Sequence, residues 1–174
     1  MKKIQLGGHR RGGKVSGYAL IDDEDFEKVN KYRWHLGYCE YASTSASVGE
    51  KQTTSQMHRL IMGAIKGQMI DHKDGNKLNN QKSNLRYCTG SENQANRTSQ
   101  KNNTSGFTGV FKSGKRWIAQ IGIKNRQRYL GIFTDKESAA KAYNQAAKKN
   151  YGEFARLNII KNQNDTKEFK GKIR

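Results

Sequence analysis

Residues 70–97, IDHKDGNKLNNQKSNLRYCTGSENQANR, compress the end of an apolar segment, a loop rich in Gly and Asn, a second short apolar segment and a helix start into one continuous stretch. Ile70-Asp71-His72 closes the first segment and Asn84-Leu85-Arg86-Tyr87 opens the second. Thr89 and Glu92 then have the spacing of a capping box, at the start of a helix that carries Asn93 and Asn96. The order is strand, loop, strand, helix. If the hairpin folds onto the helix, Asp71 and His72 face Asn93 in the first helical turn, and an oxygen-rich pocket lies beside an imidazole.

Those residue types suit phosphodiester hydrolysis, which needs a base to activate water and a cation to stabilise charge on the phosphorus centre and the leaving oxygen. A carboxylate and an amide oxygen are ligands for Mg²⁺, which keeps several waters and takes few protein ligands. His72 lies on the other face of the strand end and is free to act as general base, since an imidazole titrates near neutrality. The plainer alternative, a turn with a surface histidine, leaves the Asn at the right distance, the second cap and the basic charge of the chain unaccounted for.

The segment Asp71-His72-Lys73-Asp74-Gly75-Asn76-Lys77, with Asn84-Leu85-Arg86, Thr89 and Asn93, resembles the HNH nuclease motif and its ββα-metal fold, in the variant found in phage homing endonucleases. The preceding MHRLIM also resembles these proteins. The resemblance implies that Asp71 and Asn93 bind one divalent metal, that His72 activates the water, and that Asn84 braces the hairpin holding His72. Asn93 stands where many relatives have His, which favours Mg²⁺ or Mn²⁺ over zinc. His58, inside MHRLIM, reads as a hydrogen-bonded packing residue and stays outside the catalytic set.

Only 33% of residues are apolar and there is no proline, so thin cores and polar loops punctuated by Gly, Asn and Ser are expected. Residues 18–22 read as a strand, 22–31 as a helix and 34–57 as a weak hairpin, followed by an apolar cluster that ends at Gly67. The glycine-rich stretch 8–14, GHRRGGK, has the spacing of a phosphate loop, but Val15 stands where a metal-binding Ser or Thr belongs. It reads as a basic arm against phosphate or as a plain loop. Cys39 and Cys88 are too few for a disulfide framework or a structural zinc site.

A polar, turn-rich segment near residues 100–106 divides the chain into a nuclease domain over 1–100, with the motif at about 69–98, a second domain over 101–158 and a basic tail over 159–174. Residues 1–100 hold 16 basic and 10 acidic residues, and 101–174 hold 17 and 5, so the smaller half carries the stronger field. In that half, 107–112, 116–124 and 127–133 alternate apolar with polar residues and predict a three-stranded antiparallel sheet. A helix follows over 135–151, with Thr134 and Glu137 at capping-box spacing and Gly152 at the C-cap. The fold class is therefore α+β.

Gly109-Val110, Trp117-Ile118-Ala119, Tyr129-Leu130-Gly131-Ile132-Phe133 and the helix with Ala139, Ala140, Ala142 and Tyr143 resemble the plant ethylene-response-factor type of DNA-binding domain. In that family the sheet enters the major groove and the helix packs behind it. On this resemblance Lys112, Lys115, Arg116, Gln120, Lys124, Arg126, Arg128 and Tyr129 are candidates for DNA contact, with Arg116, Gln120 and Arg128 the better candidates for reading bases. Phe111 and Gly122 stand where the plant proteins have arginines, so their target is not inherited. Trp117 and Phe133 read as core.

The net charge of +18 points to a polyanionic partner. Double-stranded DNA is expected, rather than a membrane surface or a small-molecule substrate. These readings converge on a homing-type, site-specific DNA endonuclease, expected to be phage-encoded and to act as a monomer or a DNA-induced dimer in the cytoplasm of a bacterial host. The competing reading is a non-catalytic DNA-binding regulator that retains a nuclease fold, and the set Asp71, His72 and Asn93 argues against it.

Overall fold

The computed structural model describes residues 1–7, 15–48, 51–97, 103–124 and 126–160. The basic arm at 8–14 and the tail from 161 lie outside the described residues. The chain mixes helix and sheet and forms two compact units, Met1–Asn96 and Arg97–Arg174.

The first unit opens on a strand with no counterpart among the expectations above. β1 (Lys2–Leu6) pairs antiparallel with β2 (Gly17–Ile21), matching Ile4 to Ala19 and Lys2 to Ile21. Ile4 and Leu6 alternate with exposed Lys3 and Gln5, the period-two pattern of a strand with one buried face. The acidic stretch forms a short 3-10 turn (Asp23–Asp25) running into α1 (Phe26–Val29), less helix than its spacing predicts. The expected hairpin is a three-stranded sheet, β3 (His35–Leu36), β4 (Ala42–Val48) and β5 (Lys51–Gln56), in the order β3-β4-β5.

α2 (Met57–Met62) ends at Gly63, whose φ of 65° closes the helix, and not at Gly67. Arg59 reinforces that end by donating to the carbonyls of Gln68 at 2.6 Å and Ile65 at 2.8 Å. Helical spacing puts Met57, His58 and Ile61 on the buried side of α2. Ile4, Leu6, Ala19, Ile21, Val29, Trp34, Ala42, Ile70 and Leu85 complete one core. The hairpin of β6 (Met69–His72) and β7 (Leu85–Cys88) follows, and then α3 (Gly90–Ala95). Thr89 and Glu92 form the reciprocal capping box anticipated from their spacing.

The second unit is an antiparallel sheet of β8 (Val110–Ser113), β9 (Arg116–Ile123) and β10 (Arg126–Phe133), ordered β10-β9-β8, with α4 (Lys136–Tyr151) packed on one face. Its N-cap is Asp135, which accepts from the Ser138 amide at 2.7 Å, and not Thr134, whose hydroxyl turns to Asp135 instead. Ala139, Ala140 and Ala147 let the helix lie close to the sheet against Val110, Ala119 and Ile121, so a thin core suffices. The side chain of Asn158 is bonded to both the amide and the carbonyl of Thr108, closing the unit across its ends. No helix among the described residues is long and apolar enough to cross a membrane.

Gly109 sits at φ 71° where a Cβ would run into the Tyr143 ring and the Gln120 carbonyl. Gly114 has a similar φ of 58° but opens on free space. Gly109→Ala is therefore expected to cost about 3 kcal/mol, from overpacking added to backbone strain, and Gly114→Ala only about 1 kcal/mol. Hydrogen exchange of the β9 amides in the full-length protein checks this, and equal losses would contradict it.

Candidate active site

The register of β6 against β7 sets Asp71 opposite Arg86 and His72 opposite Leu85, and consecutive side chains on a strand point to opposite faces. Asp71 and His72, both buried, therefore enter two different environments.

On the first face, the Arg86 guanidinium donates twice to Oδ2 of Asp71, from Nε at 2.9 Å and Nη2 at 2.7 Å. The Asn96 amide, at the C-terminal end of α3, donates to both Asp71 oxygens at 3.0 Å and to the His72 carbonyl at 2.8 Å. Spacing alone marks Asn96 only as a residue of the helix, yet it is the side chain that joins α3 to the hairpin. Asn93 lies three residues earlier, on the same side of α3 by helical spacing. Its side chain makes no hydrogen bond among the described residues, so the pocket expected between Asp71 and Asn93 is spanned by Asn96 instead.

On the second face, His72 Nε2 lies 3.3 Å from Oδ1 of Asn80. The Asn80 amide nitrogen donates to the Leu78 carbonyl at 3.2 Å, which fixes which end of the amide faces His72. An oxygen there requires the proton on Nε2 and leaves Nδ1 as the acceptor nitrogen. Asn80 is held in turn by β2, since Leu20 accepts from the Asn80 amide and donates to the Leu78 carbonyl, each at 2.8 Å. Burial lowers the His72 pKa against the opposing pull of the Asn80 hydrogen bond, favouring the neutral ring.

Two further rings enclose His72. His58 meets it edge to face at 5.1 Å between centroids, and Tyr41 lies 5.9 Å from His72 and 5.0 Å from His58. His58 is a packing residue against His72, but Nδ1 of His58 is buried with no hydrogen-bond partner among the described residues. Asn80, Tyr41 and the placement of His58 were not found from sequence, because each depends on contacts between distant segments.

The loop between the strands is built around Asp74. Its carboxylate accepts from the Asn76 amide at 2.7 Å, Asn79 Nδ2 at 2.8 Å and Asn84 Nδ2 at 2.9 Å. Burial raises the Asp74 pKa, but these hydrogen bonds outweigh it and hold the carboxyl below its ordinary value. Asn84 also donates to the Asn79 carbonyl and accepts from the Asp74 amide, and its own carbonyl accepts from Lys73. Its side chain thus braces the loop that follows His72.

No group of three or more His, Cys, Asp or Glu placed to hold a metal ion lies among the described residues. Asp71 could offer a cation a carboxylate oxygen and Asn93, on the same side of α3 as Asn96, an amide oxygen. Among the described residues, Oδ1 of Asp71 accepts one hydrogen bond, from Asn96, and retains acceptor capacity. This all-oxygen set fits a hard divalent ion that keeps much of its water.

In the second unit, cross-strand partners share a face. Arg116 pairs with Ser113 and Gln120 with Tyr129, so Gln120 and Tyr129 lie on the face away from α4, as does Arg116 by alternation from buried Ala119 and Ile121. Lys112 is opposite Trp117, Arg126 opposite Ile123 and Arg128 opposite Ile121, which places these three on the helix side at strand ends or on the edge strand β10. Lys115 and Lys124 occupy the turns. Trp117 and Phe133 pack against the core beneath α4.

A profile of the HNH endonuclease family matches residues 56–95, from the end of β5 through α3. An uncharacterized HNH endonuclease of Acanthamoeba polyphaga mimivirus is 33% identical over 82% of this chain and 75% of its own length. The chain belongs to the HNH endonuclease family and is an endonuclease. Among its relatives is the DNA endonuclease I-HmuI of Bacillus phage SP01, 44% identical over 50% of this chain and 48% of that protein. A solved structure of the HNH homing endonuclease I-HmuI, described as DNA binding and cleavage, aligns with 69% of this chain and 75% of its own at 22% identity and a TM-score of 0.34.

His58 gives the first unit a particular acid sensitivity. Burial, followed by the nearby His72 and Arg59 charges, pushes its pKa down to about 3, against an ordinary value of 6.5. The unfolded chain takes up this proton near pH 6.5 and the folded chain does not until about pH 3, so stability is lost as pH falls through that window. The expected slope from this one group is about 1.4 kcal/mol per pH unit. Denaturant titrations of wild type and His58→Phe between about pH 4 and 6 should show a shallower pH dependence in the variant. Identical slopes would contradict this account of His58.

Proposed function

We propose that this chain is a site-specific, homing-type DNA endonuclease that hydrolyses one phosphodiester at each active site, with His72 as general base and one divalent cation, Mg²⁺ or Mn²⁺, held by Asp71 and Asn93. The observation that carries the reading is the hydrogen bond between His72 and Asn80, which leaves Nδ1 of a neutral imidazole as the acceptor nitrogen, one residue along the strand from Asp71. The relatives described above as endonucleases, one of them a DNA endonuclease, support the substrate class.

In this mechanism Nδ1 of His72 accepts the proton of the attacking water while Asn80 keeps the Nε2 proton in place. Tyr41 and His58 restrict rotation of the ring, and Asn84 holds the loop that follows it. Arg86 and Asn96 fix the carboxylate of Asp71. The cation, when bound, stabilises negative charge on the phosphate and on the leaving oxygen. In the second unit, an ethylene-response-factor-like domain, the sheet face with Arg116, Gln120 and Tyr129 reads bases in the major groove, and Lys112, Lys115, Lys124, Arg126 and Arg128 contact the backbone. That assignment moves Arg128 from base reading to backbone contact because it lies opposite buried Ile121, on the side of the sheet that faces α4.

Supercoiled plasmid bearing the natural target should be nicked or linearised with Mg²⁺ and left intact with chelator. Replacing His72 by Ala is expected to slow cutting by about 10²- to 10⁴-fold, the usual contribution of a positioned base. Intact plasmid with both Mg²⁺ and Mn²⁺ would leave the binding-regulator reading, and an undiminished His72→Ala would refute the assigned base. Joint replacement of Arg116 and Gln120 by Ala should abolish preference for the target while weak cutting persists, and unchanged preference would refute the role of the sheet.

A further inference from the structure

Asp71 is a carboxylate whose charge is balanced before any cation arrives. Its side chain and that of Arg86 are only 7% and 10% exposed, and the guanidinium holds Oδ2 through two donors. Asn96 takes up part of the remaining acceptor capacity. Glu92, another carboxylate in this region, is turned to the cap of α3, accepting from the Thr89 amide at 2.7 Å and hydroxyl at 2.8 Å. A divalent cation on Asp71 would therefore meet a fixed positive charge on the same carboxylate, in a setting where solvent screens it poorly.

We infer that Arg86 makes cation binding contingent on the substrate: the free protein holds the divalent ion weakly, and the phosphodiester supplies the negative charge that the Asp71–Arg86 pair lacks. The inference rests on Asp71 being a cation ligand, as proposed above. It deepens that reading by giving Arg86 a positioning and gating role. Linkage makes the effect reciprocal, so the cation strengthens phosphodiester binding by the same factor that the phosphodiester strengthens cation binding.

Mn²⁺ binding, read by the loss of the free-ion paramagnetic resonance signal, tests this without relying on cleavage. With Mn²⁺ alone, Arg86→Gln should bind about tenfold more tightly than wild type, whereas Arg86→Lys, which keeps the charge, should not gain. Wild type should also gain about tenfold when a duplex with phosphorothioate linkages is added, measured against Asp71→Asn with the same duplex. This second comparison decides the matter by itself if the neutral variant does not fold. The inference is overturned if wild type binds Mn²⁺ equally with and without duplex, or if folded Arg86→Gln gains nothing while Asp71→Asn added to it still loses the ion. If adding Asp71→Asn to Arg86→Gln leaves Mn²⁺ binding unchanged, the ion is not at Asp71, and the metal-site reading falls together with the inference.

Discussion

Alternation along one four-residue strand organises the site. At the end of β6 it sends Asp71 toward Arg86 and Asn96 and His72 toward Asn80, His58 and Tyr41. Two chemically opposed environments are thereby built from adjacent residues. One is charged and rich in oxygen, suited to a cation and a phosphate. The other is enclosed by rings and keeps an imidazole neutral. A slip of one residue in the β6–β7 register would exchange them.

The rest of the first unit serves to hold that register and the loop beyond it. β2 reaches Asn80 through Leu20, and Asp22, just past β2, accepts from the Lys82 amide at 2.8 Å and the Gln81 side chain at 3.1 Å. Lys77 is tied to the Cys39 carbonyl and to Glu40, each at 3.1 Å, which joins the loop to the turn before β4. The Asp74, Asn79 and Asn84 network closes it from within. Few of these contacts are apolar, which explains how a chain with so small an apolar fraction specifies a precise site: satisfied polar networks take the place of a larger core.

What was legible in the sequence was what local spacing determines. The Thr89–Glu92 cap, the two strands flanking the loop, the alternating strands of the second unit and the Asp71-His72 pair all depend on residues close together in the chain. Contacts across tens of residues were not legible. β1 is hard to read from sequence because its alternation, Lys3 to Leu6, is too short a run to signal a strand. Asn80 looked like one of several loop asparagines until Leu20 placed it. Asn96 was hidden by Asn93, since both sit on one helical face and spacing does not say which amide reaches the carboxylate. Asp135 displaced Thr134 as a cap because either residue can start a helix and the geometry of the preceding strand decides between them.

The chemistry depends on the protonation pattern of one ring, and nitrogen NMR of the histidines in the full-length protein at neutral pH reads it directly. The proposed mechanism predicts a neutral His72 with its proton on Nε2 and an unprotonated Nδ1, shifting to a mixture of tautomers in Asn80→Ala. A His72 protonated at Nδ1, or an imidazolium at that pH, would contradict it.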